Sequence, residues 1–219
     1  MKTETKHIIT DGELEKAIEI LETMHPEAGC ALVHRDPFEL IVAVALSAQT
    51  TDVSVNKATP ALFSRYPTPE ALAKADQEDV MELIRTIGLY RNKSSNIIRM
   101  AQKIVDDFGG KVPSDFENLV SLPGVGRKTA NVVLAEGFGV PRIAVDTHVF
   151  RVANRIGITD EKNVDATEDE LMRRLPESLW IRTHHLLIFH GRKCCSARKP
   201  SCSECGLSDI CLYYKDSQR

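Results

Sequence analysis

The sequence predicts an all-α protein, and three observations carry that prediction. Apolar residues recur at i, i+3, i+4 and i+7 in segment after segment. Capping residues open most of those segments and glycines close them. No run alternates apolar and polar residues for long enough to make a strand. Helices must therefore pack on helices. With 219 residues, 42% of them hydrophobic, the chain can bury a core and suits one large or two small domains.

Taken in order, Met1 to Thr10 is polar and charged, with no apolar stretch of the kind a secretory leader needs. Thr10 and Glu13 predict a capping box, followed by Leu14, Ala17, Ile18 and Leu21 on one helical face. Phe38 to Leu46 is apolar nearly all round, as a helix at the centre of a domain must be, and its longest apolar run is too short to cross a bilayer. Gln49 follows directly, with Thr50, Thr51 and Asp52 able to cap the next helix. Asp76 opens a helix with the face Val80, Leu83, Ile84 and Ile87, ended by Gly88, and the apolar Leu89 comes just after it. Ile97, Ala101, Ile104, Val105 and Phe108 mark another helix, ended by Gly109 and Gly110.

Ser114 and Glu117 predict a second capping box on a short helix carrying Phe116, Leu119 and Val120. A glycine-punctuated turn, Leu122-Pro123-Gly124-Val125-Gly126, leads into a helix bearing Arg127, Lys128, Ala130, Val133, Leu134 and Gly137. The pattern is helix, hairpin, helix. Gly124 and Gly126 lack a Cβ that would keep another chain away, and the new helix offers backbone N–H groups and a positive dipole end, which suits a phosphate diester. An ordinary interhelical turn has the same glycines. Lys128 lies in that first turn, where a cation is disfavoured and the neutral, nucleophilic amine is easier to reach. Downstream, Val149, Val152, Ala153 and Ile156 form a helical face that places Asp146 at its cap, and a carboxylate there can also steady positive charge developing on a substrate. Asp165 and Glu168 predict a box on a further helix with Leu171 and Leu175.

Six cysteines occur, and Cys195, Cys202, Cys205 and Cys211 form C-x6-C-x2-C-x5-C near the end, leaving Cys30 and Cys194 over. Crowding at one end of a helical chain expected to be intracellular favours metal ligation over disulfides. The spacing by itself admits zinc or a [4Fe–4S] cluster. Lys and Arg total 28 against 31 Asp and Glu, a formal net charge of −3, which excludes a protein that coats nucleic acid indiscriminately and allows a local basic face. Arg192, Lys193, Arg198 and Lys199 crowd the cysteine segment and make it the expected basic patch.

LPGVGRKTANVV followed by IAVDTHVFRV resembles the helix-hairpin-helix, Gly-Pro-Asp (HhH-GPD) superfamily of DNA glycosylases, and the endonuclease III branch most. The likeness runs from Leu46-Ser47-Ala48-Gln49-Thr50-Thr51-Asp52 through the cysteines. It implies a two-lobed fold: a six-helix barrel over 30–140 with the hairpin, and a discontinuous helical domain over 1–29 and 141–219 with the iron–sulfur loop, DNA lying in the groove between them. It selects a structural [4Fe–4S] cluster held by Cys195, Cys202, Cys205 and Cys211, with Cys194 a spare thiol able to substitute for Cys195. It implies a bifunctional glycosylase and abasic-site lyase acting on oxidised pyrimidines in duplex DNA, with Lys128 and Asp146 catalytic. Gln49 would fill the space of the extruded nucleotide and Leu89 would wedge the opposite strand, while Gly124, Gly126, Arg127, His148, Arg198 and Lys199 would contact DNA. A monomeric cytoplasmic enzyme with no membrane partner is expected. An adenine mismatch glycosylase usually lacks the lysine and carries a further C-terminal domain, and a non-catalytic DNA-binding module would need neither Lys128 nor Asp146.

Overall fold

A computed structural model describes residues 7–218, so the polar stretch starting at Met1 lies largely outside the described residues. Among these residues there are twelve α-helices and no strand. They are α1 (Asp11–Met24), α2 (Pro37–Ser47), α3 (Asp52–Arg65), α4 (Pro69–Ala73), α5 (Gln77–Leu83), α6 (Tyr90–Phe108), α7 (Phe116–Val120), α8 (Arg127–Phe138), α9 (Thr147–Ile156), α10 (Val164–Arg174), α11 (Trp180–Lys193) and α12 (Leu212–Ser217). Among the described residues, no helix is long and apolar enough to cross a membrane. The chain divides into two compact units, Cys30–Val140 and Met1–Gly29 with Pro141–Arg219.

In the Cys30–Val140 unit, α2 is the central helix. Pro37 at its first turn has a preset φ and needs no donor there, and Asp36 caps it by accepting from Glu39 N–H. Leu40, Ile41, Val42 and Ala43 are wholly buried in succession, which only a helix covered on all sides allows; it packs against α3, α6 and α8. Burying each of the larger of these side chains is worth about 1.5–3 kcal/mol. Glu39, the one charge near the start of this apolar run, is also buried, and the Arg35 guanidinium and backbone N–H both bind its carboxylate.

In the other unit, α9 packs on α10, α11 and α12, and α11 also packs on α1. Ile9, Leu14, Leu21, Val149, Val152, Ile156, Leu171, Leu186 and Leu187 share its core. The Thr10–Glu13 capping box forms as expected. Gly157 ends α9 at φ +93°, and a Cβ there would come 2.4 Å from Leu212 Cδ1, so both the backbone and the packing call for glycine.

Three expected boundaries are corrected. The cap of α7 is Asp115 and not Ser114: neighbouring Ser and Asp compete for one cap, and the Asp115 carboxylate accepts from both the backbone and the side-chain amide of Asn118. Asn163 caps α10, accepting from Ala166 N–H at 2.9 Å, so Asp165 falls inside the first turn, where its charge complements the helix dipole. Helix α5 stops at Leu83, and Ile84 and Ile87 reach the core from tight turns beyond it.

Candidate functional site

Helix α7, the turn and helix α8 form the hairpin foreseen in the sequence. Leu122 N–H donates to Leu119 O and Val125 N–H to Leu122 O, closing successive tight turns, while Leu122 and Val125 are buried and anchor the loop from below. Gly124 has φ +79°, and a Cβ there would come 3.3 Å from Asn96 Cβ, so the left-handed turn and the close approach to α6 both favour glycine. Gly126 is the N-cap of α8 and supplies no side-chain acceptor to the helix, which keeps that end open to an outside oxygen. Arg127 and Lys128 follow in the first turn, both exposed, with the Arg127 guanidinium 5.9 Å from the centre of the Phe116 ring.

In the same unit, Gln49 and Leu89 share a feature the sequence did not announce. Among the described residues they are the two non-glycine residues with positive φ, at 53° and 60°. Gln49 follows α2, Leu89 is the residue from which α6 starts, and both are exposed, Leu89 at 59%. Gly88 does not cap α5, which ends at Leu83, and Leu89 stands away from the core. Beneath these residues lies Lys93, 7% exposed, whose Nζ donates to Leu46 O at 2.9 Å and Thr50 Oγ1 at 2.8 Å. Burial holds its ammonium below the ordinary lysine range. The sequence analysis did not single out Lys93; its position one turn after Leu89, on a face shared with Ile97, was the available signal.

In the other unit, Asp146 caps α9. One carboxylate oxygen accepts from His148 N–H and Val149 N–H, each at 2.8 Å. His148 packs against α11, where a Cβ on Gly191 would come 3.0 Å from His148 Cβ, and its Nδ1 lies 3.2 Å from Arg151 Nη2. Burial pushes the His148 imidazolium below the usual histidine range.

The cysteine-rich segment lies at the far end of α9 in that unit. None of the six cysteines is joined in a disulfide. Cys194, Cys195, Cys202, Cys205 and Cys211 line one cavity with Ile156, His190, Leu207 and two tyrosines. The ligand atoms of Cys194, Cys205 and His190 lie within 4.8 Å of one another. His190 Nδ1 lies 3.1 Å from His25 Nε2. A pocket of soft thiols walled by apolar side chains suits an iron–sulfur cluster, so the residues present fit that group.

Two arginines that sequence reading missed hold this loop. Arg151 donates to Gly191 O at 2.9 Å and to Cys195 O at 3.1 and 3.2 Å. Arg155 donates to Ser196 O at 2.7 Å and Ala197 O at 2.8 Å, reaches Cys195 Sγ at 3.5 Å, and stacks 4.5 Å over the Tyr213 ring. Cys211 Sγ lies 3.2 Å from Arg155 O. The signal was their spacing of four along α9, which puts both on one stripe with Thr147. Of the foreseen basic patch, Arg198 and Lys199 are exposed, whereas Lys193 is ion-paired with Glu27.

Lys128 and Asp146 thus stand on different units, each in or at the first turn of a helix.

Comparison with known proteins agrees with these features. The family model described as HhH-GPD superfamily base excision DNA repair protein matches residues 42–177. That described as the iron-sulfur binding domain of endonuclease III matches residues 195–211, a span that starts at Cys195 and ends at Cys211. The chain is 51% identical over 200 residues to endonuclease III of Bacillus subtilis, covering 91% of each, and 48% identical over 201 residues to that of Escherichia coli K12, covering 90% of this chain and 95% of the relative. A solved structure of a trapped endonuclease III–DNA covalent intermediate superimposes with TM-score 0.91 at 46% identity, covering 97% of this chain and all of the other. The chain belongs to the endonuclease III family of the HhH-GPD superfamily.

Proposed function

We propose that this protein is a bifunctional DNA glycosylase and abasic-site lyase of base excision repair that removes oxidised pyrimidines from duplex DNA and nicks the strand by β-elimination. The observation that carries this reading is an exposed lysine, Lys128, in the first turn of a helix that opens on a glycine hairpin.

The hairpin glycines Gly124 and Gly126, with Arg127, take a phosphate at the open end of α8, and the exposed Arg198 and Lys199 with His148 add backbone contacts. A damaged base cannot react within the stack and has to be extruded, at a cost of a few kcal/mol. Gln49 fills the vacated space and Leu89 wedges the opposite strand; their exposure and left-handed backbones support this assignment.

In its neutral form, Lys128 Nζ attacks the sugar C1′, the C1′–N bond breaks, and the base leaves with the bonding electrons and takes up a proton. The nitrogen then loses a proton as the C1′–O4′ bond breaks and O4′ takes one up, leaving an imine between Nζ and C1′. Its protonated form makes the C2′ hydrogen acidic; when that proton is removed, the C3′–O bond breaks and the 3′ phosphate leaves. The Asp146 carboxylate stabilises the positive charge that grows on the sugar as the base departs.

Cys195, Cys202, Cys205 and Cys211 would hold the [4Fe–4S] cluster, which supplies a structural tie for the loop carrying Arg198 and Lys199. The agreement between this set and the limits of the matched iron–sulfur segment favours Cys195 over Cys194. The enzyme acts as a cytoplasmic monomer on duplex DNA.

Borohydride trapping tests the reading. Wild-type protein is expected to become covalently joined to abasic-site DNA, and Lys128→Gln to form no adduct while still binding the duplex. An adduct that survives in Lys128→Gln, or none with the wild type, overturns it.

A further inference from the structure

Gln49 and Leu89 come from segments forty residues apart in the chain, yet the backbones of those segments meet: a Cβ on Gly88 would lie 3.9 Å from both Gln49 O and Thr50 Oγ1. Both residues hold a left-handed conformation that a non-glycine residue adopts only when its surroundings impose it, at about 1–3 kcal/mol each. Something must therefore fix the two segments together.

Lys93 is placed to do so. Its backbone N–H donates to Leu89 O at 3.0 Å, making the first helical bond of α6 and fastening the Leu89 turn from one side. Its buried Nζ binds Leu46 O, one of the last carbonyls of α2, and Thr50 Oγ1, which directly follows Gln49. A cation is favoured at a helix C-terminus, where carbonyls lack intrahelical partners. Among the described residues its ammonium makes no ion pair, so an interior charge is spent entirely on two oxygens that bracket Gln49. A lysine needed only for solubility would have reached water from this helix.

Resting on the functional reading above, we propose that Lys93 is a positioning residue that locks the Gln49 segment and the Leu89 turn into one rigid unit, so that both side chains enter the base stack together. It touches neither DNA nor the reacting atoms. Lys93 acts through the backbone on either side of it, and its loss leaves the hairpin and Lys128 in place while the two inserting side chains move independently. Reactions that require extrusion of a paired base suffer; those on an already exposed sugar do not.

The test compares two single-turnover rates for Lys93→Met: base removal from a paired, ring-saturated thymine in duplex DNA, and strand cleavage at an abasic site in a single-stranded oligonucleotide. Base removal is expected to fall about tenfold or more, the scale of a misplaced positioning group, while abasic cleavage stays within about twofold. A merely structural defect lowers both in proportion to the folded fraction. Proportional losses, or none, overturn the proposal. If Lys93→Met does not fold, Thr50→Val removes the acceptor from the opposite side, and the same split between rates is required of it. Failure of the functional reading looks different, because wild-type protein would then give no borohydride adduct at all.

Discussion

One pair of substitutions can separate the observed capping role of Asp146 from the catalytic role proposed for it. Its carboxylate oxygen takes two backbone donors, His148 N–H and Val149 N–H, at 2.8 Å each, and the charge is also assigned to the transition state. Asp146→Ala leaves both donors without their acceptor, and loss of an N-cap of this kind costs about 1–2 kcal/mol. For a chain of this size each 1 kcal/mol lowers the melting temperature by roughly 2–4 °C. Asp146→Asn keeps a side-chain oxygen at the same place and gives up only the charge beside the helix end, about 0.3–1 kcal/mol. The chemistry should rank the two differently from stability. Removing one preorganised group that faces developing charge lowers kcat by about 10²–10³. The expected result is therefore an Asn variant that melts close to wild type yet removes bases two to three orders of magnitude more slowly. Thermal melts followed by circular dichroism, beside single-turnover base removal on the same preparations, check both. An Asn variant with wild-type rates would show that Asp146 is a cap alone, and the catalytic assignment would fall.

Further outcomes follow from the geometry of the same unit. Arg155→Met removes two hydrogen bonds to loop carbonyls and a cation over Tyr213, roughly 2–3 kcal/mol of anchorage, so the cluster should bleach faster under chelator, as followed by its visible absorbance. Cys195→Ala and Cys202→Ala should lose iron and sulfide, whereas Cys194→Ser should retain both; elemental analysis decides, and a colourless Cys194→Ser would move the ligand assignment. The Arg182 guanidinium binds both oxygens of Glu22 at 2.9 Å and holds its carboxyl below the usual range of 4.5. A depressed carboxylate contributes stability that is present above its unfolded value and lost as pH falls through its folded one. Urea titrations below pH 4.5 should show stability falling less steeply in Glu22→Gln than in wild type, and equal slopes would refute that contribution.

The helices were legible wherever a cap, a stripe and a stop coincided: the Thr10 box of α1, the Gly109 end of α6 and the Asp146 cap of α9 were all readable. Boundaries failed where two good caps adjoined, as at Ser114 and Asp115, since either residue type can satisfy the same donor and only the assembled turn selects one. The left-handed Gln49 and Leu89 were invisible because no local signal marks that conformation in residues other than glycine and asparagine; the neighbours impose it. Lys93, Arg151 and Arg155 were hidden for a related reason. Each looks like an ordinary basic residue on a helix, and its meaning resides in carbonyls supplied by distant parts of the chain.

The two arginines of α9 address the cysteine loop in an unusual way. Among the bonds they make to residues 195–197, all but one end on peptide oxygens. A fixture that recognises main chain is blind to what the main chain carries. Exchanging the side chains of Ser196 and Ala197 therefore leaves these bonds in place, and the path of this stretch of the loop does not depend on what it displays.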